Sequence, residues 1–255
     1  MNAMTLDRKP IFDAVRGLIG RSFTQAEVEM LDRAIDQSLA ASGQTVSPKL
    51  GSLSERFESG GRGPGTVSGG VGDPGGVSYG SYQLSSRTGT AARFMESEGA
   101  AWASVFGKAA PGSASFSRAW RAVAGREPEA FAEAQHRFIE RTHYRPAVAT
   151  VLKETGFDLD ARHRAVRDAT WSVAVQHGRA AVILVDAVKA VLAQFSPNDR
   201  AAFDRALIEA IYAKRSTYVL RVAERASAAP ARTLRSIVRN RYPAELEAAL
   251  AMLDG

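Results

Sequence analysis

Residues 54–86 decide how the rest of the chain is interpreted: SERFESGGRGPGTVSGGVGDPGGVSYGSYQLSS. With Leu53 just before it, the stretch begins as an amphipathic helical turn that carries Phe57 and ends at Glu58. Glycines follow, with Asp73 among them, and an aromatic, strand-like segment over 77–84 closes the stretch. The pattern predicts a helix end that gives way to flexible backbone and then to a short β-like piece.

The composition is that of an ordinary globular protein. The 255 residues are 45% hydrophobic and 24% charged, enough to bury a core. There is no cysteine, which excludes disulfides and thiolate metal sites. The net charge of +6 favours encounters with polyanions such as nucleic acid, anionic lipid or cell-wall polymers. The arginines are dispersed along helical segments and no nucleic-acid-reading motif is present, so we expect solvated helix faces and no nucleic-acid partner.

Neither the first residues nor the longest apolar run predicts a membrane segment. The first residues, MNAMTLDRKPIF, lack the apolar core of a signal peptide. The longest apolar run, 180–185, stops at Asp186 and is too short to cross a bilayer. We therefore expect synthesis in the cytoplasm without a signal peptide and no stable membrane insertion.

Helical periodicity predicts a mainly α chain in three parts. Residues 1–43 form a small helical segment, 44–51 a polar connector and 52–255 the main domain. In the main domain we expect one short β-like insertion, at 66–84. Pro146 is expected to interrupt a helical run before a helix around 147–154, and Asp160 to cap a later helix that runs to about His177. The most apolar helix, 179–195, is expected to be central. Further helices are expected at 199–213, 217–226, 231–239 and 244–253.

Glu58 has the setting of a catalytic acid. It follows an aromatic residue at a helix C-terminus, where both an apolar environment and the helix dipole disfavour a negative charge. Cleavage of a glycosidic bond needs a carboxylic acid of this kind to protonate the leaving oxygen. The plainer alternative is a solvated glutamate at a helix end.

Asp73 is the second candidate carboxylate. It lies on the glycine-rich loop, which can approach a polymer closely and present the carboxylate across a cleft. As a base it would act on a water molecule between the two carboxyl groups. The alternative is a structural turn, because aspartate before proline is common in turns.

Several of these residues carry a resemblance to a known family. The order Glu58-Ser59, Gly72-Asp73 and Tyr79-Gly80-Ser81-Tyr82-Gln83 resembles the catalytic core of the lysozyme superfamily, in particular goose-type lysozymes and soluble lytic transglycosylases. The longer string is similar to muramidase-like domains of phage endolysins and secreted antibacterial effectors. Residues 9–36 and the WSVAVQHG segment at 171–178 are similar to parts of the same group.

The resemblance implies a fold and a set of roles. The fold would be mainly α, of the α+β lysozyme-like type: a helical domain with a short β-like Gly-rich insertion that forms one wall of a cleft. Glu58 would be the general acid and Asp73 would position or activate water. Goose-type enzymes have a further acidic residue after the glutamine, where this chain has Leu84-Ser85-Ser86. The substrate-binding residues would be Ser59, Ser78, Tyr79, Tyr82 and Gln83.

The histidines add one candidate and no metal site. His177 stands beside Gln176 at a helix end, where both side chains could bind substrate or brace the glycine-rich loop; a buried structural role is the alternative. No histidine lies in a metal-binding motif, so we expect neither a metal nor another cofactor.

Together these observations predict a peptidoglycan hydrolase, a muramidase of the endolysin type that cleaves the β-1,4 bond between N-acetylmuramic acid and N-acetylglucosamine. Such a phage glycosidase would be bacteriolytic and antimicrobial, degrading the cell wall from the periplasm after release or secretion. Its expected partner is a peptidoglycan glycan strand, and its expected state a monomer. Four alternatives stay open: a lytic transglycosylase using Glu58 alone, a chitinase- or chitosanase-like glycosidase, a catalytically inactive wall-binding phage module, and a nucleic-acid-binding protein.

Overall fold

The computed structural model describes residues 50–51, 53, 63–70 and 75–254. The chain divides into two compact units, Met1–Lys49 and Leu50–Gly255, and every described residue lies in the second. The predicted helical segment at 1–43 and most of the connector at 44–51 therefore lie outside the described residues.

The described part is mainly helical, which confirms the predicted class. A two-stranded antiparallel hairpin comes first, with β1 at Ser78–Tyr79 and β2 at Leu84–Ser85. The helices that follow are α1 (Thr90–Met95), α2 (Ala103–Phe106), α3 (Ala114–Arg126), α4 (Pro128–Ile139), α5 (Arg145–Thr155), α6 (Arg164–Gln176), α7 (Ala180–Leu192), α8 (Arg200–Arg225), α9 (Ala228–Ser236) and α10 (Tyr242–Ala251).

The hairpin is anchored on an aromatic cluster. Tyr79 on β1 is fully buried, and its ring lies 5.0 Å from that of Phe116 and 5.1 Å from that of Trp120. Trp120 in turn packs against Phe131 of α4, with ring centroids 4.7 Å apart. Such aromatic pairs bury large surfaces and fix the angle between the elements that carry them. The hairpin therefore packs on α3, and through Trp120 on α4.

Two prolines lie within helical runs that continue through a wider turn. A π-helical turn at Glu140–Tyr144 joins α4 to α5, which begins one residue before Pro146, and a second at Ile237–Arg241 joins α9 to α10 and precedes Pro243. A proline cannot donate the backbone hydrogen bond of a regular helix, and a wider turn accommodates this loss. The prediction that Pro146 interrupts the helical run was therefore wrong.

Other boundaries differ from the predicted ones. The helices expected at 199–213 and 217–226 are one continuous helix, α8, because no glycine or proline separates them. The helix expected to follow Asp160 begins at Arg164, where the side chain of His163 accepts a hydrogen bond from Ala165 N. Among the described residues of the β-like insertion at 66–84, the pairing consists of the short hairpin and a bridge between Val67 and Tyr79.

The segment expected at 179–195 is α7, and most of its side chains are buried, although Val182 is 47% exposed. Across the described ranges, no helix combines the length and apolarity needed to cross a membrane. These elements confirm a mainly α domain. The finer expectation, a lysozyme-like α+β arrangement, is not confirmed by them.

Candidate functional site

The predicted site residues on the hairpin have different environments. Tyr79 is enclosed: its hydroxyl accepts a hydrogen bond from Gly112 N at 2.9 Å and bonds Ser117 Oγ at 3.0 Å. Ser78 is 6% exposed, and its backbone N–H donates to Ser68 Oγ. The side chain of Tyr79 and the backbone of Ser78 hold the hairpin in place, whereas Tyr82 and Gln83 are only partly buried.

Gln83 has a backbone conformation that is unusual for its residue type. Its φ is 54°, in the left-handed region, and its amide Nε2 donates to Gly80 O at 3.0 Å. Beneath the turn, Gln135 Oε1 accepts from Ser81 N at 3.1 Å, while its Nε2 donates to Pro64 O. Left-handed non-glycine residues persist only where the surroundings impose them. Gln135, which the sequence analysis did not select, therefore positions the turn.

Tyr82 belongs to a polar and aromatic cluster against α6. Its hydroxyl bonds His136 Nδ1 at 2.8 Å, and the His136 ring stacks on Trp171 at 4.4 Å and 10°. Trp171 is fully buried, and its Nε1 has no hydrogen-bond partner within the described residues. Asp168, one turn earlier on α6, accepts from Gly51 N at 2.9 Å and Leu53 N at 3.2 Å. This cluster ties Gly51, Leu53 and the hairpin to one helix.

Gln176 and His177 lie at the C-terminal end of the same helix in a second cluster. Arg215 Nε donates to Gln176 Oε1 at 3.1 Å and to His177 Nε2 at 3.2 Å. The hydroxyl of Tyr242 donates to Gln176 Oε1 at 2.9 Å. Since His177 Nε2 accepts from a guanidinium, the neutral ring carries its proton on Nδ1. Among the described residues, Nδ1 of His177 has no hydrogen-bond partner.

A buried ion pair supports this second cluster. Arg215 and Glu245 both have fully buried side chains, and Arg215 Nη1 lies 2.9 Å from Glu245 Oε2. Ser172 and Tyr212 also donate hydrogen bonds to Glu245, and Arg241 pairs with its other oxygen. The Arg215 guanidinium lies 4.2 Å from the ring centroid of Tyr242. Buried charges of this kind persist only when they are paired and hydrogen-bonded, as they are here.

The electrostatics of the cluster keep His177 neutral. Burial, followed by the nearby charges of Arg215 and Arg241, lowers the pKa of His177 to about 3. Burial also raises the pKa of Tyr212 and of Tyr242 above the usual range, so both hydroxyls stay protonated. At neutral pH the cluster offers neutral donors and acceptors beside two cations and one carboxylate.

This cluster opens into a cavity. Gln176, His177 and Tyr242 line a space of about 220 Å³ together with apolar side chains that include Val219 and Leu234. Tyr218 and Val222 line both this cavity and a neighbouring groove of about 480 Å³ between α7 and α8. The His177 ring lies 5.5 Å from that of Tyr218. We call the two spaces together the α7–α8 site.

The structure brings together some of the predicted site residues and separates others. Ser78, Tyr79, Tyr82 and Gln83 belong to the hairpin, whereas Gln176 and His177 belong to the α7–α8 site. Glu58, Ser59 and Asp73 lie outside the described residues, so their predicted roles stay predictions. Within the described ranges, no group of three or more potential ligands could hold a metal ion.

Comparison with known proteins identifies the family. A family model described as "Type VI secretion system spike protein VgrG3-like, C-terminal" matches residues 50–245. The chain is also 41% identical over 129 residues to the type VI secretion system spike protein VgrG3 of Vibrio cholerae serotype O1 (strain ATCC 39315 / El Tor Inaba N16961). That alignment covers 51% of this chain and 12% of the relative. The chain thus spans about an eighth of the length of the relative that it matches.

These findings overturn the expectations that the resemblance carried. The family and the relative are described as components of a secretion spike, so the lysozyme-superfamily assignment, the muramidase or endolysin function and the glycosidase activity were wrong. The expected partner, a peptidoglycan glycan strand, and the expected wall-binding monomer were wrong for the same reason. The physical reason is that the assignment depended on about thirty residues rich in glycine, which are compatible with many turns and loops.

The family match begins at residue 50, where the compact unit that contains the described residues also begins. It extends over well more than half of the chain. The chain therefore belongs to the family of type VI secretion system spike protein VgrG3-like C-terminal domains.

Proposed function

We propose that this chain acts as the C-terminal domain of a type VI secretion spike and leaves the cell with that spike. The observation that carries the proposal is the family match over 50–245, which covers the helical unit from its first described residue almost to its end. The relative's name supplies the context, since it is a type VI secretion system spike protein. Attachment to a spike is a proposal, because this chain corresponds to only a small part of that relative.

The architecture supports a domain that is carried as a folded body. Its buried aromatic cluster and its buried ion pair join helices that are distant in sequence, such as α8 with α6 and α10. Such a body could be attached through residues before Leu50 without disturbing the contacts described here. That the hairpin forms one wall of a cleft remains a prediction from the sequence.

Gln176 and His177 remain candidate ligand-binding residues in this proposal. Both line the cavity of the α7–α8 site, and the Nδ1–H of His177 is available as a donor. Tyr82 and Gln83 are candidates of the same kind at the hairpin. The glycan strand expected from the sequence is not proposed as the ligand of the cavity or of the hairpin.

Secretion of a fusion tests the proposal. The chain would be joined to the C-terminus of a spike protein that lacks its own C-terminal domain, in a bacterium with an active type VI system. We expect the fusion in the culture supernatant, detected by immunoblotting, and its absence when the system is inactivated. A cytoplasmic marker in both supernatants controls for lysis.

Two outcomes would contradict the proposal. One is equal release of the fusion from the active and the inactivated strain. The other is loss of spike secretion caused by fusing the chain, when the spike without it is secreted normally. An unrelated folded domain of similar size in place of the chain separates a specific effect from a size limit.

A further inference from the structure

The groove between α7 and α8 has walls with the spacing of a helix-binding surface. On α8, Lys214, Tyr218, Arg221 and Arg225 recur at intervals of three to four residues and line the groove. Opposite them, Val182 and Asp186 of α7 are four residues apart. Side chains at this spacing lie on one face of a helix. Two parallel rows of side chains therefore border an open trough.

The side chains that line the groove carry a net positive charge. Arg179, Lys214, Arg221 and Arg225 line it with Asp186 as the single carboxylate. Within the part of the chain that the structure describes, none of these four side chains forms an ion pair or a hydrogen bond. Arg141, which is also exposed, by contrast pairs with Glu98 at 2.6 Å.

The floor of the groove is apolar and partly open to solvent. Val182 is 47% exposed and Val222 39% exposed, and Ile183 lies beneath them. Aliphatic side chains in a trough that is bordered by cations match a ligand with an apolar stripe and acidic flanks. A volume of about 480 Å³ is sufficient for several side chains, although not for a folded domain.

We propose that this groove binds an acidic amphipathic helix of a partner protein. The apolar face of that helix would cover Val182 and Val222, and its carboxylates would pair with Lys214, Arg221 and Arg225. This is the helix-in-groove mode of recognition, in which anchors at i, i+3, i+4 and i+7 enter a hydrophobic trough. The proposal concerns the groove itself and does not depend on the route by which the domain leaves the cell.

The lining favours a polypeptide over a nucleic acid. Single-stranded nucleic acid binds where several aromatic side chains offer stacking surfaces along a cationic track. Among the described residues that line this groove, Tyr218 is the only aromatic one, and the exposed part of the floor is aliphatic. A small inorganic anion would leave the two exposed valines uncovered.

Fluorescence anisotropy with designed probes tests the proposal on the full chain. The first probe is a labelled 18-residue helical peptide with leucines at i, i+3, i+4 and i+7 and glutamates at the flanking positions. In a second probe the glutamates are replaced by glutamine, and in a third the leucines by serine. We expect saturable binding of the first probe at physiological salt, and at least about tenfold weaker binding of the other two.

A matched pair of variants locates the binding site. Lys214→Glu combined with Arg221→Glu reverses two charges in the groove, and we expect it to weaken binding of the first peptide by at least about tenfold. Arg118→Glu combined with Arg121→Glu makes the same change in net charge on α3, where both side chains are exposed. We expect this control to bind within about twofold of the unmodified chain. Circular dichroism confirms that both variants keep their helical content.

Three outcomes would overturn the proposal. One is the same loss of binding in the groove variant and in the α3 control, which would indicate a response to net charge alone. Another is undiminished binding of the leucine-free peptide, which would exclude a role for the apolar floor. The third is tighter, groove-dependent binding of an oligothymidylate than of the peptide, which would assign the surface to nucleic acid.

Discussion

Glu245 is the residue on which the buried charge cluster depends. Its side chain is fully buried and pairs with Arg215, whose side chain is equally inaccessible. Replacing one partner of a buried ion pair leaves the other charge without compensation, at a cost of about 3–5 kcal/mol. We therefore expect Glu245→Gln to lower the free energy of unfolding by about 3 kcal/mol in urea denaturation.

The matched control is Glu247→Gln, an exposed position on the same helix. It should change the free energy of unfolding by no more than about 0.5 kcal/mol. Equal stability of the two variants would mean that the Arg215–Glu245 pair contributes nothing beyond a hydrophobic contact.

His177 makes stability depend on pH below neutrality. Its pKa is lowered from the usual 6.5 to about 3, chiefly by burial, so between these values the unfolded chain binds more protons than the folded one. The contribution of His177 is therefore complete above pH 6.5 and is lost as the pH falls toward 3. Between these two pKa values, one such group changes the free energy of unfolding by up to about 1.4 kcal/mol per pH unit.

Thermal unfolding between pH 4.5 and 7.5 measures this effect. We expect His177→Gln to show a shallower fall in Tm toward acid than the unmodified chain. The slope will not vanish, because burial and the charge of Arg93 also lower the pKa of His143. Identical slopes for variant and unmodified chain would contradict the assignment to His177.

The sequence pointed to Gln176 and His177 but not to their partners. A polar pair at a helix end is a recognisable local signal, and the structure places both residues at a cavity. Arg215 lies 39 residues from Gln176, and Glu245 a further 30 residues on. Nothing local distinguishes Arg215 from the many other arginines of the chain, because its burial results from the packing of α8 against α6 and α10.

Among the elements, the hairpin depends on one close approach of backbone to side chain. Gly80 has φ +72°, and a Cβ added there would lie 2.1 Å from Gln135 Oε1. Gly80→Ala therefore combines left-handed strain with a clash against the amide that positions the turn. We expect it to lower the free energy of unfolding by about 3 kcal/mol or more, measured in urea.

Gly89 provides the control for backbone strain alone. Its φ is similar, at +76°, yet an added Cβ would meet nothing within 4 Å. Gly89→Ala should cost about 1–2 kcal/mol, the typical cost of a left-handed alanine. If the two alanine variants were equally stable, contact with Gln135 would not constrain the turn.

The elements also show why some boundaries were predictable and others were not. Apolar periodicity located most helices, because the buried face of each one recurs at helical spacing. It failed at Pro146, where a π-helical turn at Glu140–Tyr144 lets the helical run continue. A proline predicts the loss of a backbone hydrogen bond. The sequence does not reveal whether the helix ends there or continues through a wider turn.

For the whole molecule, the sequence predicted the mainly α fold class correctly but led to a wrong function. A mainly α domain follows from the helical patterning of more than half of the chain. The function was inferred from a segment of 33 residues, part of which lies outside the described structure. The family match draws on residues 50–245 together, and this broader pattern of core positions is what a short motif lacks.

The start of the family match has a physical counterpart that truncation can test. Leu53 is 2% exposed, and the backbone N–H groups of Gly51 and Leu53 donate to the buried carboxylate of Asp168. Removing residues 50–53 deletes about 2 kcal/mol of apolar burial and takes two donors from that carboxylate, at a further cost of about 1–3 kcal/mol. At about 2–4 °C per kcal/mol for a domain of this size, a fragment of residues 54–255 should melt about 10 °C below one of residues 50–255 by calorimetry.

Asp168→Asn in the longer fragment should reproduce part of that loss, since an amide accepts both N–H groups less well than a carboxylate. Equal melting of the two fragments would place the structural start of the domain after Leu53 and would contradict the anchoring role of Asp168.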